Sequence, residues 1–156
     1  MAIAPALPTT PWLSTEQQTV WRHYLLGSAR LKDRLDADLR QFGLDLAEYE
    51  ILVTLSEAPD RRVRMSDLAE AVHQSRSRLT HTVTRMEAAR LVERVSCPTD
   101  RRGVWAQLTE HGFELLAEAA AEHVACVRRH FVEVMSAEDY AAVGRAFAAI
   151  ARATAD

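Results

Sequence analysis

The stretch from residue 65 to residue 109 constrains the fold of this chain more than any other part of it. It opens with MSDLAEAV, and a longer run follows for which Ser75 can serve as the N-cap. The stretch ends in two β-prone runs on either side of a polar turn. In the longer run, Leu79, Val83 and Met86 share one narrow stripe at helical spacing, which predicts a helix that packs this stripe inward. A short helix, a turn, a second helix and a β-hairpin make a winged helix-turn-helix, a fold that presents one helix to the major groove of DNA.

The outer face of the second helix, hereafter the reading helix, is the predicted DNA-contacting surface. It carries hydroxyl, imidazole and guanidinium groups and no large apolar side chain. Arginine can bind guanine bidentately in the major groove, and serine or threonine can contact bases or phosphates. The alternative is an ordinary solvated helix face, but the short helix before it and the arginine-bearing turn after it favour DNA. The predicted contacts are Ser75, Arg76, Ser77, Arg78, Thr80, His81, Thr84 and Arg85.

The turn between the two β-prone runs is the predicted tip of the wing. Residues 92–96 and 104–108 are the expected strands, and the turn CPTDRRG lies between them. An arginine at a hairpin tip can enter a narrow minor groove, where the negative potential favours a guanidinium. We place Arg101 at the tip and Arg102 beside it as a second DNA contact. Asp100 is expected either to hold an arginine in place or simply to start the turn.

These motifs resemble the MarR family (multiple antibiotic resistance regulators). The residues that carry the resemblance are SRSRLT at 75–80, RLVER at 90–94, and DRRGV at 100–104 followed by Leu108 and Thr109. In one departure, Ala89 and Arg90 precede Leu91, where the family often has a glycine. The resemblance spans residues 14–152. It implies a transcriptional regulator, most often a repressor, that binds DNA as a homodimer and holds a small ligand between its dimerisation helices and its DNA-binding lobe.

The long first helix independently predicts a dimer. Ser14 and Gln17 form a capping box, and an apolar stripe runs from Val20 to Phe42. Such a helix is roughly 40 Å long, too long for one winged helix to cover, and two alanine-rich helices near the C-terminus can approach it closely. The expected organisation is a single domain, 1–156, mainly α with a small β-wing, with dimerisation helices at 14–42 and 110–153 and a winged helix-turn-helix lobe at 45–109.

Charge is distributed unevenly along the chain. The net charge is −3, yet residues 60–102 hold 10 basic and 6 acidic side chains, so the positive charge lies in the predicted DNA-binding lobe. A local basic patch is sufficient to attract phosphates, because binding depends on the charges at the groove. The sequence has no long apolar run, no signal peptide and only two cysteines. We therefore expect a cytoplasmic protein with no membrane contact, acting on a palindromic site in double-stranded DNA.

Aromatic side chains with polar tips cluster around the first half of the first helix. Trp12, Trp21, His23 and Tyr24 suit a pocket for a small aromatic or phenolic ligand. The alternative interpretation is aromatic core packing. Under the first interpretation, these four residues form a ligand site.

Three other interpretations stay open at this stage. Cys97 starts an exposed turn beside arginines and could sense oxidants. His123, Cys126 and His130 share one helix face and could bind a metal, or could form a dimer interface. A winged helix can also bind an acidic protein in place of DNA. No phosphate loop, nucleophile elbow or HExxH motif occurs, so we expect neither catalysis, nor a cofactor, nor a resident metal.

Overall fold

In the computed structural model, which describes residues 11–96 and 103–155, long helices from both ends of the chain flank a small lobe of helices and strands. The elements are α1 (Thr15–Leu39), α2 (Leu46–Glu57), β1 (Arg62–Arg64), α3 (Met65–Ala71), α4 (Arg76–Ala88), β2 (Val92–Ser96), β3 (Val104–Leu108), α5 (Glu110–Val127) and α6 (Ala137–Ala153). Short 3-10 turns cover Arg40–Phe42 and Pro59–Arg61, and a π-helical turn extends α5 over Arg128–Val132. The predicted fold class, mainly α with a small β-wing, is confirmed, and α4 is the reading helix.

The helices begin where the sequence provides a cap. Ser14 and Gln17 exchange hydrogen bonds at the start of α1, as predicted. Asp45 and Glu48 form the same capping box at the start of α2. Side-chain caps, each accepting from the backbone N–H three residues on, are also present at Ser75, Thr109 and Ser136. These caps satisfy backbone N–H groups that a helix by itself leaves unpaired.

Among the described residues, three helical segments end in the same left-handed turn, although only one has a glycine there. Gly43, His73 and Arg90 have φ values of 71°, 51° and 59°. At each, the N–H of the following residue donates to a carbonyl five residues earlier, which is the Schellman arrangement. For a residue with a Cβ, this left-handed conformation has a steric cost of about 1–2 kcal/mol. The reading helix is therefore followed by an arginine in a strained backbone conformation.

The wing belongs to a three-stranded antiparallel sheet with the strand order β1-β3-β2. β2 pairs with β3 over all five residues, and β1 pairs Arg62 with Gln107 and Arg64 with Trp105. The two predicted strands of the wing are present with the predicted bounds, but the sequence analysis did not predict β1. A three-residue strand with two arginines has too little apolar alternation to be recognised, and it forms because the open edge of β3 offers backbone partners.

The core lies between α2, α4 and the sheet. All three residues of the predicted inward stripe of the reading helix are buried there, with Ile51 and Leu52 of α2. The same cluster contains Leu39 from the end of α1 and Ala119 from α5. The long helices are therefore anchored to the lobe through limited segments, and the rest of their length extends beyond it.

The start of α5 lies directly against the turn that follows the reading helix. The Thr109 hydroxyl donates to the carbonyl oxygens of Arg90 and Leu91, at 2.7 and 3.0 Å, and accepts from the N–H of Gly112. A Cβ at Gly112 would collide with the Leu91 carbonyl, so only glycine permits this approach. The base of the wing and α5 are thereby held together.

The outer parts of α1 and α6 are exposed in the single chain. The apolar stripe of α1 is covered only from Leu31 onward, while Val20 remains 64% exposed. On α6, Phe147 and Ile150 are about half exposed. Despite these side chains, no helix among the described residues is long and apolar enough to cross a membrane.

The left-handed turn at Arg90 generates a stability prediction. Arg90→Gly should raise the free energy of unfolding by about 1 kcal/mol, because glycine adopts positive φ without a steric penalty. Arg90→Ala, which removes the guanidinium but keeps a Cβ, should give no such gain. Denaturant unfolding at a fixed protein concentration measures both. An equal gain in the two variants would assign the effect to the lost charge and contradict the strain explanation.

Candidate nucleic-acid interface

The reading helix is oriented by what it buries. Leu79, Val83 and Met86 are at most 1% exposed, and the only buried polar residue among those described, Thr82, donates its hydroxyl to the Arg78 carbonyl at 3.1 Å. The opposite face is consequently turned to solvent. All eight predicted contact residues of this helix are exposed: Ser75, Arg76, Ser77, Arg78, Thr80, His81, Thr84 and Arg85.

The threonine hydroxyls on this helix are already engaged. Thr80 donates to the Arg76 carbonyl, and Thr84 donates to the Thr80 carbonyl, both at 2.8 Å. Phosphates and the guanine edge in the major groove offer only acceptors. In this state Thr80 can contribute its methyl group and its acceptor oxygen, and Thr84 mainly its methyl group, because the Thr84 oxygen also accepts from Arg94. Hydrogen-bond donors must come from the serines, His81 and the arginines.

Arg85 is held by carboxylates of a different helix. Its Nη2 lies 2.9 Å from Asp45 Oδ2 and 3.1 Å from Glu48 Oε1, and its Nε donates to the same Glu48 oxygen. The hydrogen bond to Glu48 is the largest cause of a raised pKa for the Arg85 guanidinium. The two carboxylates are the capping box of α2, so Arg85 fastens the reading helix to the start of α2. A DNA contact by Arg85 stays a prediction, and the structure gives its side chain another binding partner.

Arg76 and Arg78 differ from Arg85 in having no ion-pair partner among residues 11–96 and 103–155. Both belong to the first turns of the reading helix, and Arg78 also donates its backbone N–H to the Ser75 cap at 3.2 Å. An unpaired guanidinium keeps its full bidentate donor set for a phosphate or a guanine. These two arginines therefore carry the free positive charge of the reading face.

A cleft of about 330 Å³ lies beside Arg76, between the reading helix and the start of β3. Arg64 at the end of β1 and Ser66 in α3 line it, together with Gly103 and Val104 from the wing. The sequence prediction included neither Arg64 nor Ser66, and Arg64 was missed because β1 itself was not recognised. The alternation of Arg62 and Arg64 around Val63 was the one signal that could have placed both arginines on one face of a strand.

On the sheet, the Trp105 ring lies between two arginines of β1. The guanidinium carbons of Arg62 and Arg64 are 5.3 and 5.4 Å from its centroid, within cation–π range. The predicted wing-tip contacts Arg101 and Arg102, with Cys97 and Asp100, lie outside the described residues.

The predicted ligand residues are only partly brought together. His23 and Tyr24 line a cavity of about 810 Å³ between α1 and the C-terminal helices. Trp21 stacks on Tyr24, with ring centroids 5.4 Å apart, and lines a neighbouring cavity of about 710 Å³. Trp12 lines neither of these two cavities, and its side chain is 93% exposed.

The three residues proposed as a metal or dimer face have separate surroundings. The His123 ring packs against Tyr49, with centroids 4.3 Å apart, and burial lowers the pKa of His123. Cys126 is buried and burial raises its pKa, which disfavours the reactive thiolate. His130 lines the 810 Å³ cavity. Among the described residues, no group of three or more His, Cys, Asp and Glu side chains could hold a metal ion.

Comparison with known proteins gives consistent matches. Residues 42–103 match the profile of the MarR family. The crystal structure of AbsC, a MarR family transcriptional regulator from Streptomyces coelicolor, is 49% identical over 92% of this chain and 97% of that chain, with a TM-score of 0.87. Sco3205, a MarR family regulator of the same organism solved in complex with DNA, is 36% identical over 96% and 94%, with a TM-score of 0.91. The transcriptional regulator MhqR of Bacillus subtilis is 27% identical over 70% of this chain and 73% of its own length.

Substitution of Arg78 and of Arg85 should affect different properties of the protein. Arg78→Ala should weaken binding to the preferred duplex by about 1–3 kcal/mol and relax the preference at one base position. Arg85→Ala should lower the free energy of unfolding by at most about 1 kcal/mol, since its ion pairs are partly exposed and screened, and should leave base preference unchanged. Competition titrations with single-base variants of the duplex, together with denaturant unfolding, separate the two effects. Loss of base preference in the Arg85 variant at unchanged stability would contradict this division.

Proposed function

Because this chain belongs to the MarR family of transcriptional regulators, we propose that it is a homodimeric repressor that binds a palindromic operator and is released by a small aromatic ligand. The observation that carries the DNA-binding part is the exposed outer face of α4, whose opposite stripe is buried in the core. This face presents Ser77 and His81, together with two arginines, Arg76 and Arg78, that have no ion-pair partner in the described part of the chain. The likeness to Sco3205, solved in complex with DNA, supports the same conclusion.

In the proposed complex each subunit inserts the reading helix into the major groove. Arg78 and Ser77 approach base edges, while Arg76 and the adjoining cleft face the phosphate backbone. The wing enters the adjacent minor groove, with Arg101 and Arg102 attracted by its negative potential. Two identical lobes related by a two-fold axis imply half-sites about 10 bp apart. The protein would work in the cytoplasm, where a bacterial chromosome is accessible.

The exposed apolar surface of α1 and α6 supports the dimer. Tyr24 of α1 contacts Phe147 of α6 at 5.8 Å between ring centroids, and this aromatic contact lies at the edge of the surface left uncovered in the single chain. Burying such side chains against a second copy removes apolar area from water, the main driving force for association. We therefore assign α1, α5 and α6 to the dimer interface.

The 810 Å³ cavity is the proposed effector site. Its volume falls within the range of ligand pockets, and its wall is largely apolar with a few polar groups, including His23, Lys32 and Glu50. The buried Nε2 of His130, also in this wall, has no hydrogen-bond partner among the described residues, and a bound ligand could satisfy it. A ligand bound here shifts DNA binding only if it favours a dimer whose reading helices do not match B-DNA.

Selection from a random pool of duplexes tests the DNA-binding proposal. We expect a palindromic motif with half-sites about 10 bp apart, and light scattering of the complex should show two chains of 17.5 kDa on one duplex. A single half-site bound by one chain would overturn the dimer. Absence of any enriched motif, with binding to acidic proteins instead, would favour a protein-interaction module.

Fluorescence and thermal unfolding test the effector site. Benzoate or phenol should quench tryptophan emission through the Trp21–Tyr24 stack and raise the melting temperature with occupancy. His23→Ala should weaken this response without altering DNA affinity in the absence of ligand. Trp12→Phe is the matched control, since Trp12 lines neither cavity and its loss should leave the ligand-dependent change intact. A normal response in His23→Ala would remove His23 from the site.

A further inference from the structure

One arginine of the wing is bonded along the side of the reading helix. Arg94 lies in β2, and its side chain is 29% exposed. Its backbone N–H donates to Glu87 Oε1 at 2.8 Å, and its Nη1 donates to Glu87 Oε2 at 2.7 Å. Its Nη2 donates to the Thr80 carbonyl at 3.0 Å and to the Thr84 hydroxyl at 2.8 Å. A single residue of the wing thus holds the helix at three positions.

The three attachment points span much of the helix. From Thr80 to Glu87 the helix rises about 10 Å, so the guanidinium and the backbone amide of Arg94 resist rotation as well as translation of the strand against α4. Because β2 pairs with β3 along its whole length, with Arg94 opposite Ala106, the orientation of β2 determines that of the hairpin. The other face of β2 contributes nothing comparable, since the Glu93 side chain has no hydrogen bond or ion pair among the described residues.

We propose that Arg94 is a positioning residue for DNA binding, which sets the angle of the wing relative to the reading helix so that both reach their grooves together. The proposal rests on the proposed function, in which helix and wing bind adjacent grooves. Simultaneous contact requires a fixed separation between the two elements. Arginine suits this position because its planar group directs several donors in fixed directions, which the point charge of lysine cannot do.

The decisive variants keep the charge of residue 94 or change the charge of its partner. Arg94→Lys retains the cation but loses the multiple directed bonds. Glu87→Gln removes a negative charge near DNA, so simple electrostatics predicts tighter binding, whereas loss of positioning predicts weaker binding. Glu93→Gln is the matched control, because it makes the same change of charge beside Arg94 on β2 and removes no bond between the wing and the reading helix.

Footprinting on the selected operator separates the two grooves. Hydroxyl-radical cleavage reports minor-groove protection by the wing, and methylation of guanine N7 reports major-groove protection by the helix. We expect Arg94→Lys and Glu87→Gln to lose minor-groove protection while keeping major-groove protection. Affinity should fall roughly tenfold, and the salt dependence should become shallower by about one counterion per lost wing contact. Glu93→Gln should retain both protections and bind as tightly as the unmodified protein or tighter.

Two outcomes would overturn the proposal. If both substitutions lower the melting temperature but keep minor-groove protection, Arg94 only stabilises the fold. If both protections disappear together, Arg94 orders the reading helix itself and does not set the wing angle. If Arg94→Lys fails to fold, Glu87→Gln alone decides, since it removes only the charge of the partner. Failure of the unmodified protein to bind any duplex would overturn the proposed function, and is recognised before any variant is made.

Discussion

The burial of one apolar stripe of α4 is the constraint on which the candidate interface depends. Leu79, Val83 and Met86 pack against α2 and the sheet with almost no exposure. Since side chains on a helix keep fixed angular relations, burying this stripe turns Ser77, Arg78 and His81 outward together. Packing on the opposite side is therefore enough to orient these three side chains, and their donors are not used by other contacts in the described part of the chain.

The arginines in and around the reading helix differ in whether their side chains bind a neighbouring element. Arg85 binds the capping box of α2, and Arg94 binds across from the wing, so each guanidinium joins the reading helix to a neighbouring element. Arg76 and Arg78 have no such partner in the described part of the chain. Some arginines of the DNA-binding lobe are therefore used in contacts that hold its elements together. Only the remaining arginines can attract phosphates.

The first turn of α2 connects the long helices to the reading helix. Asp36 of α1 accepts the backbone N–H of Leu46 at 3.0 Å, and this bond is the main cause of a lowered pKa for the Asp36 carboxyl. Leu46 also lines the proposed effector cavity, and Asp45 next to it holds Arg85. A movement of this turn would therefore displace contacts to both α1 and α4. This adjacency supports the proposal that cavity and DNA-binding face are coupled.

The sequence alone determined the features that depend only on residues close together along the chain. Capping residues such as Ser14 and Ser75, the inward stripe of the reading helix, its outward polar face and the two longer wing strands could all be predicted, because helical and strand periodicities decide which way a side chain points. The tertiary structure alone decided the partners: β1 against β3, Arg85 against a carboxylate forty residues earlier, and Trp12 apart from the aromatic cavity. Long side chains and short strands take their partners from distant segments that only the fold brings together. Periodicity therefore predicted the exposed face, but not which of its arginines would be left free.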